Sequence, residues 1–265
     1  MNKALVYVIL GAESSGRREV LVDLIGEGVP AGTEVHTFLF DGEKPSPHDD
    51  KIGTLHRWEW TTDRHIKAEC PATEGPVFFM LNGRGNPVDQ LEALRAWLRT
   101  SNAEVGRIFT VVNCQLASTV PETVAWYDVC IHFSDVVLLA KRDGVPNKWF
   151  TEFRKRYDAE CLPCLFEMVK AGKVKNPAMI LTPTAHRISQ AFDEQEGGFD
   201  FSTLGEDVEF IDDAEDEDDE EEDEDGEESP DDEDDEPKED IYFQRRPGGR
   251  RVKEIPDITK YLPTE

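Results

Sequence analysis

The chain has 265 residues, enough for one domain of ordinary size with extensions. Its net charge of −28 is concentrated: residues 206–240 hold 26 of the 57 acidic residues and a single lysine, so the remainder is close to neutral, with 31 acidic against 28 basic residues. This excludes a uniformly acidic surface; with no apolar run near the roughly 18 residues of a membrane span and no small-residue cleavage pattern, a soluble, cytoplasmic protein is expected.

The first stretch, Ala4 to Ile25, organises the rest. Ala4–Leu10 is an apolar run that predicts a strand, Gly11–Gly16 a tight turn framed by glycines, and the residues after it a helix with Val20, Leu21, Leu24 and Ile25 on one face. Strand, G-x-x-x-x-G and helix is the setting of a phosphate loop, whose inward amides and helix N-terminus favour an anion. It is also the pattern of an ordinary strand–turn–helix. The lysine and hydroxyl that usually follow are here Arg17 and Arg18. Arginine attracts phosphate as a bulky fork rather than a point charge, and Arg18 offers no hydroxyl to a metal ion.

Further along, the helix should stop near Gly26–Gly32, and Glu34–Phe40 reads as a second strand. Gly53–Lys67 contains Trp58 and Trp60 alternating with Arg57 and Glu59, a short strand with aromatics on one side. Those rings fit core packing, or a platform for stacking a base. His56, His65 and Cys70 lie nearby without the spacing of a metal site. Val77–Leu81 is a continuous apolar run, as expected of a strand covered on both faces, and it ends at Asn82–Pro87. A helix is expected over Val88–Arg99, a buried strand over Ile108–Asn113, a helix over Pro121–Phe133 and a strand over Asp135–Leu139. Asn147–Tyr157 is a basic, aromatic helix, a solvated face or a patch for RNA. Met179–Leu181 is read as a last short strand and Ala185–Phe192 as a last helix. The five cysteines are odd in number and lack framework spacing, fitting reduced thiols; Cys161 and Cys164 form a C-x-x-C read as two buried thiols.

Alternating strands and helices predict an α/β fold with a mostly parallel sheet flanked by helices. In such sheets the ligand crevice lies at the carboxyl ends of the strands, where Gly11–Gly16, Asn82–Pro87 and Ala140–Asp143 all fall. The order of these segments resembles the metallochaperone class of P-loop GTPases, the group of CobW-like, urease-accessory and hydrogenase-accessory proteins. The resemblance covers roughly Ala4 to Tyr157. Gly11–Arg18 stands where that family has G-x-x-x-x-G-K-T. Met80–Pro87 resembles its E-T-x-G-x-x-[DE]-P segment at Gly83 and Pro87, with the acid replaced by Met80. Ala140–Asp143 resembles N-K-x-D, with the asparagine replaced, and Asn113 stands where aspartate is frequent. The resemblance implies a P-loop fold with Gly11, Gly16, Arg17, Arg18, Lys141 and Asp143 at a nucleotide site, Asp143 reading guanine and Lys141 packing along the nucleotide. GTP or GDP is the implied ligand. With the loop lysine, the metal hydroxyl and the acid lost, catalytic residues are expected to be absent, and no metal site is expected. The family's C-x-C-C motif is not found, and its second domain is not expected.

Three segments are expected: a P-loop-like domain over 1–205, an acidic disordered tether over 206–240 and a basic, aromatic C-terminal piece over 241–265. The tether serves as a solubilising linker, as a loose binder of cations, as a competitor of nucleic acid for a basic partner, or as an intramolecular clamp. Tyr242, Phe243, Arg245, Arg246, Arg250 and Arg251 are candidates for docking a protein or RNA partner. The leading functional expectation is a non-catalytic binding or regulatory protein with weak guanine-nucleotide affinity. The alternatives are an active GTPase or metallochaperone with atypical motifs, and an RNA- or ribosome-associated factor using the arginine-rich end.

Overall fold

The computed structural model describes residues 3–193 and 239–263; the expectation of a disordered acidic tether falls almost wholly outside them. Its strands are β1 (Ala4–Leu10), β2 (His36–Phe40), β3 (Thr54–Trp60), β4 (Ile66–Lys67), β5 (Val77–Met80), β6 (Ala103–Asn113), β7 (Val136–Ala140) and β8 (Leu165–Met168). Its helices are α1 (Arg17–Gly28), α2 (Pro87–Thr100), α3 (Cys114–Thr119), α4 (Val124–His132), α5 (Asn147–Ala159) and α6 (Pro177–Ile180). The strands form one sheet in the order β4-β3-β2-β5-β1-β6-β7-β8. Among the described strands only β4 runs antiparallel, with Glu59 opposite Lys67. The expected mostly parallel α/β sheet flanked by helices is the observed fold.

β1 lies inside the sheet, Val6 opposite Val77 of β5 and Ile9 opposite Phe109 of β6. A strand covered on both faces has no polar side, which is why its sequence is a continuous apolar run. Val6, Val8 and Leu10 join one core with α2, α4 and α5, while Tyr7 and Ile9 join the other with α1 and α6. Helices thus cover both faces of the sheet. α2 starts sharply because Asn86 caps it, its side chain accepting from the amides of Val88 at 2.9 Å and Asp89 at 3.3 Å, with Pro87 in the first turn.

Residues 239–263 belong to the same compact unit as the N-terminal body. Phe243, Ile258 and Leu262 are buried in the core on the α2, α4 and α5 side. Phe243 stacks on Phe133 with ring centres 5.3 Å apart.

Three local expectations are corrected, and one strand, β8, was not expected from the sequence. Met179–Leu181 is no strand, because Asn176 at φ 52° and Pro177 start the short helix α6 there. Ala185–Phe192 forms no helix; His186 and Arg187 are instead tied to the Asp135 carboxylate. β8, at the sheet edge with Leu165 and Met168 exposed, lacks the apolar run that marked the inner strands. The C-x-x-C is not two buried thiols: Cys164 is buried, whereas Cys161 is exposed.

Candidate functional site

The Gly11–Gly16 loop joins β1 to α1 at the carboxyl edge of the sheet, beside the turns that follow β5 and β7. Gly16 precedes α1 in the left-handed region at φ 88°, which a β-branched side chain would strain. Gly83 brings the β5 turn against the loop. A side chain there would begin 2.4 Å from the Glu13 nitrogen, and the Gly83 carbonyl accepts from the Glu13 amide at 3.1 Å. The Ser15 amide donates to Ala12 at 3.2 Å. Two loop amides are therefore already engaged within the protein.

Arg17 and Arg18, which open α1 after the loop, are both turned inward. The Arg17 side chain is 5% exposed. It runs past Gly11, donates through Nη1 to the Leu81 carbonyl, and donates through Nη2 to Glu43 Oε1 at 2.7 Å. Arg18 donates to Glu43 Oε2 at 2.9 Å and to the Lys44 carbonyl at 2.7 Å, with Asp49 at 3.4 Å. A single carboxylate thus bridges two guanidiniums. A cleft of about 350 Å³ opens here, lined among others by Glu13, Gly16, Arg17, Arg18, Glu43 and Lys141. Met80, wholly buried at the end of β5, also lines it.

Lys141, at φ 50°, donates to both oxygens of Glu19 at 2.9 and 3.0 Å. Gly16, Lys141 and Asp143 line one recess of about 530 Å³ beside α1, so the structure brings these three predicted residues together. Asp143 is exposed, and its carbonyl accepts from Gln115 at 2.8 Å. Arg142 sits over the Phe150 ring at 5.2 Å. Asn113 caps α3, accepting from the Leu116 amide at 3.0 Å. Burial pushes the neighbouring Cys114 thiol up to about 12 against the pull of Arg142.

Glu13, Glu19 and Glu43 are the site residues that sequence reasoning missed. Glu13 pairs with Arg84, whose Nη2 also donates to the Pro263 carbonyl at 2.6 Å, tying the loop to the C-terminal segment. Glu19 alone carried a readable signal, an acid in the first turn of a helix.

The six C-terminal candidates divide. Tyr242 packs against His132 with ring centres 4.8 Å apart, and Phe243 is buried. Arg251 pairs with Asp89 at 2.5 Å and Glu92 at 2.6 Å, and Arg245 pairs with Glu92 at 2.6 Å. Arg246 and Arg250 stand exposed at the ends of a turn, joined by a 2.7 Å hydrogen bond from the Arg246 amide to the Arg250 carbonyl.

Elsewhere, Trp58 is buried in the core, its indole N–H donating to the Met80 carbonyl at 2.9 Å. That is packing rather than a base platform. His36 and His56 meet at 3.0 Å between ring nitrogens; burial, then His36, lowers the His56 pKa. Among the described residues no cluster of three or more His, Cys, Asp or Glu side chains is arranged to hold a metal, and no helix is long and apolar enough to cross a membrane.

No family model matches the sequence, and no curated protein matches it. Solved structures show a distant likeness. The Zn(II)-bound YjiA GTPase from E. coli is 11% identical, with a TM-score of 0.38 over 67% of this chain and 63% of that one. The cell division protein FtsY from Thermotoga maritima is 13% identical, with a TM-score of 0.42 over 68% of each chain. A LAO/AO transport system kinase is 12% identical, with a TM-score of 0.38 over 69% of this chain and 56% of that one.

Proposed function

We propose that this chain is a non-catalytic binding or regulatory protein built on a P-loop-like frame, with weak guanine-nucleotide affinity at most. The observation that carries the reading is the engagement of Arg17 and Arg18 by Glu43 and by backbone carbonyls. Phosphoryl transfer relies on cations positioned on the phosphates and on a held metal ion. Here the cations of the cleft already have carboxylate partners, Lys141 included, and an incoming phosphate would first meet Glu13, Glu19 and Glu43. Arg18 and Met80 give no metal ligand where the resemblance would place a hydroxyl and an acid. The residues present therefore do not fit a metal-bound nucleotide. Base selection would fall to Asp143, exposed beside the recess. For a partner, the free face of the C-terminal segment is the turn carrying Arg246 and Arg250, which suits an acidic protein surface or RNA.

The test is turnover. Phosphate release from GTP and ATP by the full-length chain is expected to equal that of buffer alone. Release above buffer that disappears in a folded Gly16→Val variant would establish an active GTPase instead.

A further inference from the structure

The loop between β2 and β3 has little to hold it except charge. Asp41, Gly42, Lys44, Pro45, Pro47 and Asp50 are exposed, and no fully buried apolar side chain anchors it before Ile52. Its own turns are polar, the Ser46 amide donating to Asp49 at 2.9 Å and the Glu43 amide to the Phe40 carbonyl at 3.0 Å. Arg57 steadies its base, donating to the carbonyls of Phe40 and Glu43 at 3.1 Å each. Toward the cleft its seat is the arginine pair: Glu43 on Arg17 and Arg18, the Lys44 carbonyl on Arg18, and Asp49 beside Arg18. A segment fastened by a few polar contacts and little apolar burial is the kind that opens locally.

The seat is also imperfectly satisfied. Glu43 gives one oxygen to each guanidinium, and the Arg18 Nε and the Ser15 hydroxyl remain buried with no hydrogen-bond partner. Ser15 is wholly buried, its oxygen 3.0 Å from where a Gly11 side chain would begin, next to the Arg17 stem. A carboxylate has two acceptor oxygens in one plane. A tetrahedral oxyanion offers more acceptors in three dimensions, and guanidinium forks match it well.

From this we infer that the 41–50 loop is a displaceable plug, Glu43 being the resident anion of a two-arginine clamp at the mouth of the Gly11–Gly16 loop. A phosphate oxyanion, free or at the end of a nucleotide, competes with Glu43 for Arg17 and Arg18. Because Arg18 also holds the Lys44 carbonyl, the same exchange releases the loop and uncovers the cleft. The inference rests on the binding-protein reading above and adds the event that would couple binding to a change of surface.

Calorimetric titration of the full-length chain at low ionic strength tests it, with inorganic phosphate and GDP as separate probes. Glu43→Gln keeps the shape and removes the competing charge, and is expected to bind at least about tenfold more tightly than wild type. A gain with both probes supports a clamp that free phosphate can fill; a gain with GDP alone supports one that needs the neighbouring recess. No gain with either overturns the plug. The wild-type chain gives a second measurement that needs no variant: amide exchange in 41–50 should quicken at saturating phosphate, and binding without that change also overturns it. GTP hydrolysis by Glu43→Gln that Gly16→Val abolishes would remove the non-catalytic reading and leave the plug standing. Absence of both binding gain and hydrolysis would remove the plug alone.

Discussion

Replacing Phe243 by alanine is expected to lower the melting temperature of the full-length chain by about 6–12 °C. The ring is 2% exposed and stacks on Phe133, itself wholly buried. Removing a buried phenylalanine costs on the order of 3–5 kcal/mol when the structure around it stays in place. Here a ceiling applies. The C-terminal segment can leave the body as a unit, and the loss cannot exceed its net docking free energy once its ordering entropy is regained. A loss of about 3 kcal/mol, at roughly 2–4 °C per kcal/mol for a body of this size, gives the stated range. Truncation after Lys238 should then melt at nearly the temperature of the substituted chain. Scanning calorimetry decides the matter: an unchanged midpoint in both variants would mean that the segment adds no stability.

Acid should loosen the same segment. Burial alone would raise the Asp240 carboxyl, but hydrogen bonds from His132 at 2.8 Å, Ser189 at 2.5 Å and the Tyr242 amide at 2.9 Å outweigh it, so its pKa lies below the ordinary value. Arg95 faces the same group, together with Glu239 and Glu92. A carboxyl with a lowered folded pKa contributes its stability above its unfolded value, about 3.9, and loses it as pH falls through the folded value. Amide exchange in 239–263 should therefore accelerate below about pH 4, and Asp240→Asn should flatten that dependence.

The inner sheet was legible because β1, β5, β6 and β7 are covered on both faces and spell continuous apolar runs. β8 was not, since an edge strand with Leu165 and Met168 exposed needs no such run. The place of the candidate site followed from Gly11, Gly16 and Gly83, because close backbone approach leaves a glycine signature. Its electrostatics did not. Arg17 and Arg18 read as free cations, and nothing local marks Glu43, 26 and 25 residues away, as their partner. Likewise Tyr242, Phe243 and Arg251 read as a docking peptide, and the chemistry that suggested a partner is spent on the chain's own α2 and α4.

A buried ion pair accounts for the segment that the sequence suggested would be helical, and breaking it should be costly. Asp135 is fully buried at the start of β7, and the Arg187 side chain is 3% exposed. The carboxylate accepts from the Ile108 amide of β6 at 2.7 Å, from the His186 amide at 2.6 Å, and from Arg187 Nη1 at 3.0 Å on each oxygen. It therefore fastens 186–187 to two neighbouring strands, which a helix there would not permit. Arg187→Met removes the bonded cation from a fully buried carboxylate, and Asp135→Asn neutralises the carboxylate that Arg187 holds and that Arg107 also faces; each is expected to cost about 3–5 kcal/mol in urea unfolding. The double variant removes both halves of the pair and should cost less than the two single losses added together, because interacting partners are not additive. A double variant as unstable as the two single losses added together would show that Asp135 and Arg187 act independently, and that the backbone bonds to Asp135 alone hold the segment.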